Sequence, residues 1–146
     1  MVLKNNMWIL YALGSAIFAA MVAVLGKIGL KDIDSTFATT IRAIIMAIFL
    51  FLVALLLGKF KGFSLASFGT KAWLFVALSG IAGALSWLCY FFALKYGPTT
   101  AVAAIDKLSI VFVAILATLF LAESITAYKI IGVLFIALGA FLTVLK

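Results

Sequence analysis

Three ionisable residues stand well inside long apolar stretches of this chain: Arg42, Asp106 and Lys107. Groups of these types can bind an anion, carry a proton or pair to hold helices together. Their cost in lipid makes a functional role the default reading. Asp106 and Lys107 are adjacent, so on a helix they project about 100° apart and are expected not to form one compact pair. Asp106 then needs another partner. Arg42 is the natural one, and an arginine–carboxylate contact would hold the second and fourth spans together. One cation still remains: Lys107 must reach water, meet an anionic solute or give up its proton. At 1.5 Å per residue, Arg42 lies about 10 Å into its helix from Thr36, and Lys107 about 12 Å into its helix from Thr99. Trp87 and Tyr90 fall about 6 to 10 Å back from Leu94, so cations, an acid and aromatic faces are expected at one depth.

The elements that must position these residues are set by composition. The chain has 146 residues, 68% apolar and 10% charged, arranged as five apolar stretches each about long enough to cross a bilayer. We place the spans at about 7–30, 36–57, 72–94, 99–122 and 126–145. All are expected to be helices, because backbone groups in lipid must be satisfied within the segment. Transmembrane strands would be about half as long and would alternate polar with apolar residues. The reading is an all-α integral membrane protein, one domain over 1–146, with no room for a soluble domain. The first run is longer than the apolar core of a signal peptide and is kept as a helix.

Composition also narrows the function classes. The net charge of +7 comes from lysines that flank the spans and meet anionic headgroups, so the bilayer and not nucleic acid is the expected partner. Cys89 is the lone cysteine and there is no histidine, which leaves no plausible metal cluster, and no cofactor is expected. No nucleophile elbow, paired-carboxylate motif or phosphate-cradling glycine loop is present, and no enzymatic activity is expected. Ser109, three residues after Asp106, is expected to bond its own helix backbone.

Lys59, Lys61 and Lys71 place the connection 58–71 in the cytoplasm by the positive-inside rule. Lysines near span ends number five on that side (Lys4, Lys59, Lys61, Lys71, Lys129) and four on the other (Lys27, Lys31, Lys95, Lys146). So small a bias specifies orientation weakly and permits both. Asp34 or Ser35 is expected to cap the second helix, Gly97-Pro98 to separate the third from the fourth, and Ser124 or Thr126 to cap the fifth. An offset of 65 residues aligns Trp8 with Trp73, Ala19 with Ala84 and Arg42 with Lys107. Ala- and Leu-rich chains produce such matches by chance, so a duplicated hairpin stays open. Ala12, Ala16 and Ala20, then Gly80, Gly83 and Ala84, then Gly132 and Gly139 give small-residue faces for close helix packing, one of them expected to serve a dimer contact.

Several stretches around the charges resemble the EamA domain of the drug/metabolite transporter superfamily. They are the end of the first span at Leu25-Gly26-Lys27, Arg42 early in the second, Ala93-Leu94-Lys95-Tyr96-Gly97-Pro98, Ala103-Ala104-Ile105-Asp106-Lys107-Leu108-Ser109, Phe120-Leu121-Ala122-Glu123, and the helix with Gly132 and Gly139. The resemblance implies a secondary transporter of small organic solutes, usually an exporter, in the cell membrane. It also implies half of a ten-helix inverted repeat, so that a single unit would work as a homodimer, antiparallel if the chains insert oppositely. The solute site expected on this reading comprises Lys107, Asp106, Arg42, Trp87 and Tyr90, with Asp106 or Lys107 coupling to protons. The surplus positive charge favours amino acids or related carboxylate metabolites. Glu123 is read as capping the last helix. A flippase subunit for a lipid-linked headgroup and a non-transporting partner subunit are the alternatives. A tall lateral cleft open to lipid would favour the flippase.

Overall fold

The computed structural model describes residues 7–62 and 69–145. Lys4, Lys146 and the middle of the 58–71 connection lie outside the described residues. Within them the protein is all-helical: α1 (Met7–Gly29), α2 (Ser35–Leu56), α3 (Thr70–Tyr96), α4 (Thr99–Asp106), α5 (Ser109–Leu121) and α6 (Ala127–Leu142). The stretches 7–29, 35–56, 70–96 and 99–121 are each long and apolar enough to cross a membrane. The last helix has 16 residues, about 24 Å and shorter than the bilayer core.

The fourth span departs from expectation. It is interrupted at Lys107 and Leu108, where the amides of Lys107 and Leu108 bond back three residues, to Ala104 O (3.1 Å) and Ile105 O (2.8 Å). This tightens the chain into a 3₁₀-like turn between two half-helices. No glycine or proline marks the break, and its apolar neighbours carry no punctuation signal.

The chain forms two compact units, one comprising residues 29–95 and the other residues up to 28 together with those from 96 onward. In the first, the Asp34 carboxylate caps α2 by accepting from the amides of Thr36 (2.9 Å) and Phe37 (3.0 Å). The Phe37 amide foremost, then the Thr36 amide and the charge of Lys95, hold this carboxyl below the ordinary aspartate value, against a desolvation that acts the other way. Lys95 Nζ reaches within 3.5 Å of Ile33 O. At the other end, Gly58 (φ 64°) and Gly62 (φ 74°) take left-handed conformations that side chains with a Cβ resist. Phe60 there packs its ring 5.2 Å from that of Phe51.

In the second unit α6 packs on α4 and α5, and the buried residues are small: Ala23, Ala101 and Ala140. Lys27 Nζ donates to Gly97 O at 3.0 Å, tying the end of α1 to the turn that opens α4 at Pro98. Alpha-5 ends at Ala122, a non-glycine residue in the left-handed region (φ 55°). Thr126 caps α6, accepting from the Lys129 amide. Glu123 lies before that cap and outside the first turn of α6, so its expected capping role is corrected: the hydroxyl of Thr126 already occupies the position that accepts the free amide.

Large apolar side chains face outward, Leu56 at 86% exposure and Phe120 at 80% among them. In water this would drive aggregation, whereas in a bilayer such surface is the solvated one. Among the described residues, a Cβ added at Gly80, Gly83, Gly132 or Gly139 meets no atom within 4 Å.

Candidate functional site

The site builds from one face of α2. Ser35, Thr39 and Arg42 recur at i, i+4 and i+7, the spacing that puts side chains in line on a helix. Ser35 and Thr39 are buried and Arg42 is half-buried. Thr39 satisfies its hydroxyl on Ser35 O at 2.7 Å, the usual behaviour of a hydroxyl in an apolar helix. Arg42 lays its guanidinium on two rings of α3, 4.0 Å from the centroid of Trp87 and 4.8 Å from that of Phe91. Both distances are within cation–π range. Phe91 stands four residues after Trp87 and so shares its face, and Tyr90 packs edge-on against Phe91 with centroids 6.1 Å apart. Tyr90 is also close enough to Arg42 to interact with it electrostatically.

Among the described residues, Ser35 Oγ and Arg42 Nη1 on this face are buried without a hydrogen-bond partner. An unpartnered buried donor on a charged group is costly. The rings stabilise the positive charge but leave the N–H directions open. Such a group accepts a carboxylate or similar anion, and the indole face offers apolar surface to the body carrying it.

The other expected residues belong to the second unit. Lys107 Nζ lies 3.1 Å from Asp106 Oδ2, so the expectation that these neighbours cannot pair is corrected. The 100° stagger governs Cβ directions inside a continuous helix. Here the helix stops at Asp106, and the flexible stem of Lys107 spans the difference. The pair is well exposed, so it contributes at most about 1 kcal/mol in water. Lys107 also lines a cavity of about 450 Å³ with Ser109, Ile110, Val113 and Ile136. Irregular backbone at membrane depth is tolerated where it is buried in protein or lines such a space.

Arg42, Trp87 and Tyr90 are thus brought together in one unit, and Asp106 and Lys107 in the other. Phe91, Ser35 and Thr39 were missed. Their signal was available in the helical spacing, four residues from Trp87 and seven and three from Arg42.

Hydrophobic spans that leave their apolar surface outward define a multi-pass integral membrane protein, with charged groups inside the spans as transport proteins carry them. The chain belongs to the EamA-like transporter family, whose model matches residues 6–145. It is 45% identical over 138 residues to a Sinorhizobium sp protein named as an uncharacterized transporter in the cobO 3′ region, covering 94% of this chain and 96% of that one. No solved structure matches it.

Proposed function

We propose that this membrane transporter is a secondary exporter of small organic solutes bearing a carboxylate, such as amino acids or related metabolites. It acts in the cell membrane as a homodimer that alternates access between the two sides. The observation that carries the substrate class is the buried, unpartnered Nη1 of Arg42 on a guanidinium already stacked against Trp87 and Phe91. A solute carboxylate would complete its hydrogen bonding. Trp87 and Tyr90 would hold the apolar body, as in pockets that combine apolar walls with a few placed polar groups.

Asp106 and Lys107 are the proton-coupling groups in this reading. A helix broken beside an ion pair is a recurring arrangement for coupling sites in secondary transporters. Protonating Asp106 would break its contact with Lys107. The dimer reading is supported by the match of this chain to 96% of the Sinorhizobium protein's length, and by the open space beside Gly80 and Gly83 among the described residues.

The test is efflux and uptake in reconstituted vesicles, with and without a pH gradient, against a panel of amino acids, organic anions and quaternary ammonium compounds. Competition by the carboxylates supports the reading. Competition by the quaternary cations alone would overturn the charge argument and favour Asp106 with the aromatics as the binding group.

A further inference from the structure

A cleft of about 540 Å³ runs between α5 and α6, and no residue of the Arg42 site or the Asp106–Lys107 pair lines it. Its walls are apolar from Ile110, Val113, Ala114 and Ala117 on α5 across to Gly132 and Ile136 on α6. Thr118 also lines it, but turns its hydroxyl back to Ala114 O at 2.9 Å. The walls therefore offer no free hydrogen-bonding group to a polar solute, and a hydrated solute would lose its water there without replacement.

The dimensions narrow the occupant further. A helix of 16 residues, such as α6 itself, fills on the order of 2,000 Å³, far more than the cleft holds. A helix from a second copy could lie across the mouth of the cleft but could not enter it. The wall of α5 that lines the cleft, from Ile110 to Thr118, is roughly 12 Å long, and with the loop end at Glu123 the cleft approaches the ~15 Å depth of one leaflet's hydrocarbon. One acyl chain matches both length and volume.

The loop end supplies charge of both signs. Glu123 and Lys129 line the cleft there. Lys129 Nζ donates to Ser124 O at 3.2 Å and keeps further N–H groups for an anion. The Glu123 carboxylate has no hydrogen bond or ion pair among the described residues. An acid and a base together at the mouth complement a head that carries a phosphate and a primary ammonium.

We propose that the α5–α6 cleft binds one phosphatidylethanolamine molecule per protomer, with an acyl chain between the helices, the phosphate at Lys129 and the ammonium at Glu123. The cleft shares Ile110, Val113 and Ile136 with the Lys107 cavity, but lipid retention is read without transport, so either reading can fail alone. Purified full-length protein in detergent, titrated with phosphatidylethanolamine or phosphatidylglycerol and weighed by native mass spectrometry, tests it. The wild type should retain one phosphatidylethanolamine per protomer, and prefer it over phosphatidylglycerol by about fivefold, the scale of one headgroup charge contact.

Gly132→Leu places a side chain where an added Cβ meets no atom within 4 Å, and Ala117→Leu fills the cleft from the opposite wall. Each should lose the bound lipid, with its thermal midpoint unchanged in lipid-free detergent and no longer raised by added lipid. Glu123→Gln should keep the chain and abolish the head preference. Lipid retention unchanged in both leucine variants overturns the site. Equal retention of the two lipids by the wild type overturns the head assignment. Loss of self-association in the leucine variants with lipid retention intact would give the cleft to a second copy instead.

Discussion

Among the described residues of its own unit, Arg42 is held by aromatic faces and by no carboxylate, and that decides how its substitutions should behave. Lysine keeps the charge but loses the flat surface that stacks on Trp87 and Phe91, so it is no conservative change. In the solute-site reading, Arg42→Lys raises KM about tenfold, equivalent to ~1.4 kcal/mol, with kcat changed less. A fall in thermal midpoint with KM unchanged would assign Arg42 to packing. At the Asp106–Lys107 pair, Lys107→Met is expected to abolish transport while the protein stays folded, because Lys107 lines a cavity and not a packed helix contact. Asp106→Asn should remove the dependence on a pH gradient, and vesicle assays at two external pH values measure it. Asp34→Ala tests the α2 cap. The folded carboxyl titrates below its ordinary value, so its stabilisation is full above the ordinary aspartate value and is lost as pH falls through the lowered folded one. The melting difference between wild type and Asp34→Ala should shrink over that acid window and stay constant near neutrality.

Among the elements, the α5–α6 hairpin stores backbone strain at Ala122, where a Cβ in the left-handed region costs about 1 kcal/mol or more. Glycine relieves it. Ala122→Gly should therefore stabilise the protein by ~0.5–1 kcal/mol, read as a higher midpoint in thermal unfolding, with transport unchanged. The reverse logic applies at Gly58 and Gly62, whose positive φ makes alanine there destabilising by a similar amount. The helix interruption before α5 escapes sequence reasoning for a related reason. Ala, Ile, Leu and Val surround it, all compatible with unbroken helix, and the ion pair at the break depends on where the lysine stem turns. Local propensity contains neither.

For the whole molecule, the near balance of lysines on the two sides makes insertion in both orientations the expected outcome. Cysteine labelling of the 58–71 connection from each side of the membrane, in a Cys89→Ser background because Cys89 is exposed, should find both. Labelling from one side only would exclude the antiparallel dimer and leave a parallel dimer or a monomer. Membership in the membrane-protein class, the helical state of every span and most caps were determined by sequence alone. Lipid forces the backbone to satisfy itself locally, and Asp34, Pro98 and Thr126 act through neighbours in the chain. Arg42 and Trp87 could likewise be named as candidates from type and depth. Only the tertiary structure decided that Arg42 stacks on Phe91 as well as Trp87, that Lys107 turns back to Asp106, and that α5 and α6 leave a cleft between them. Each depends on which faces meet, and in a chain this uniformly apolar, hydrophobic periodicity scarcely distinguishes one helix face from another.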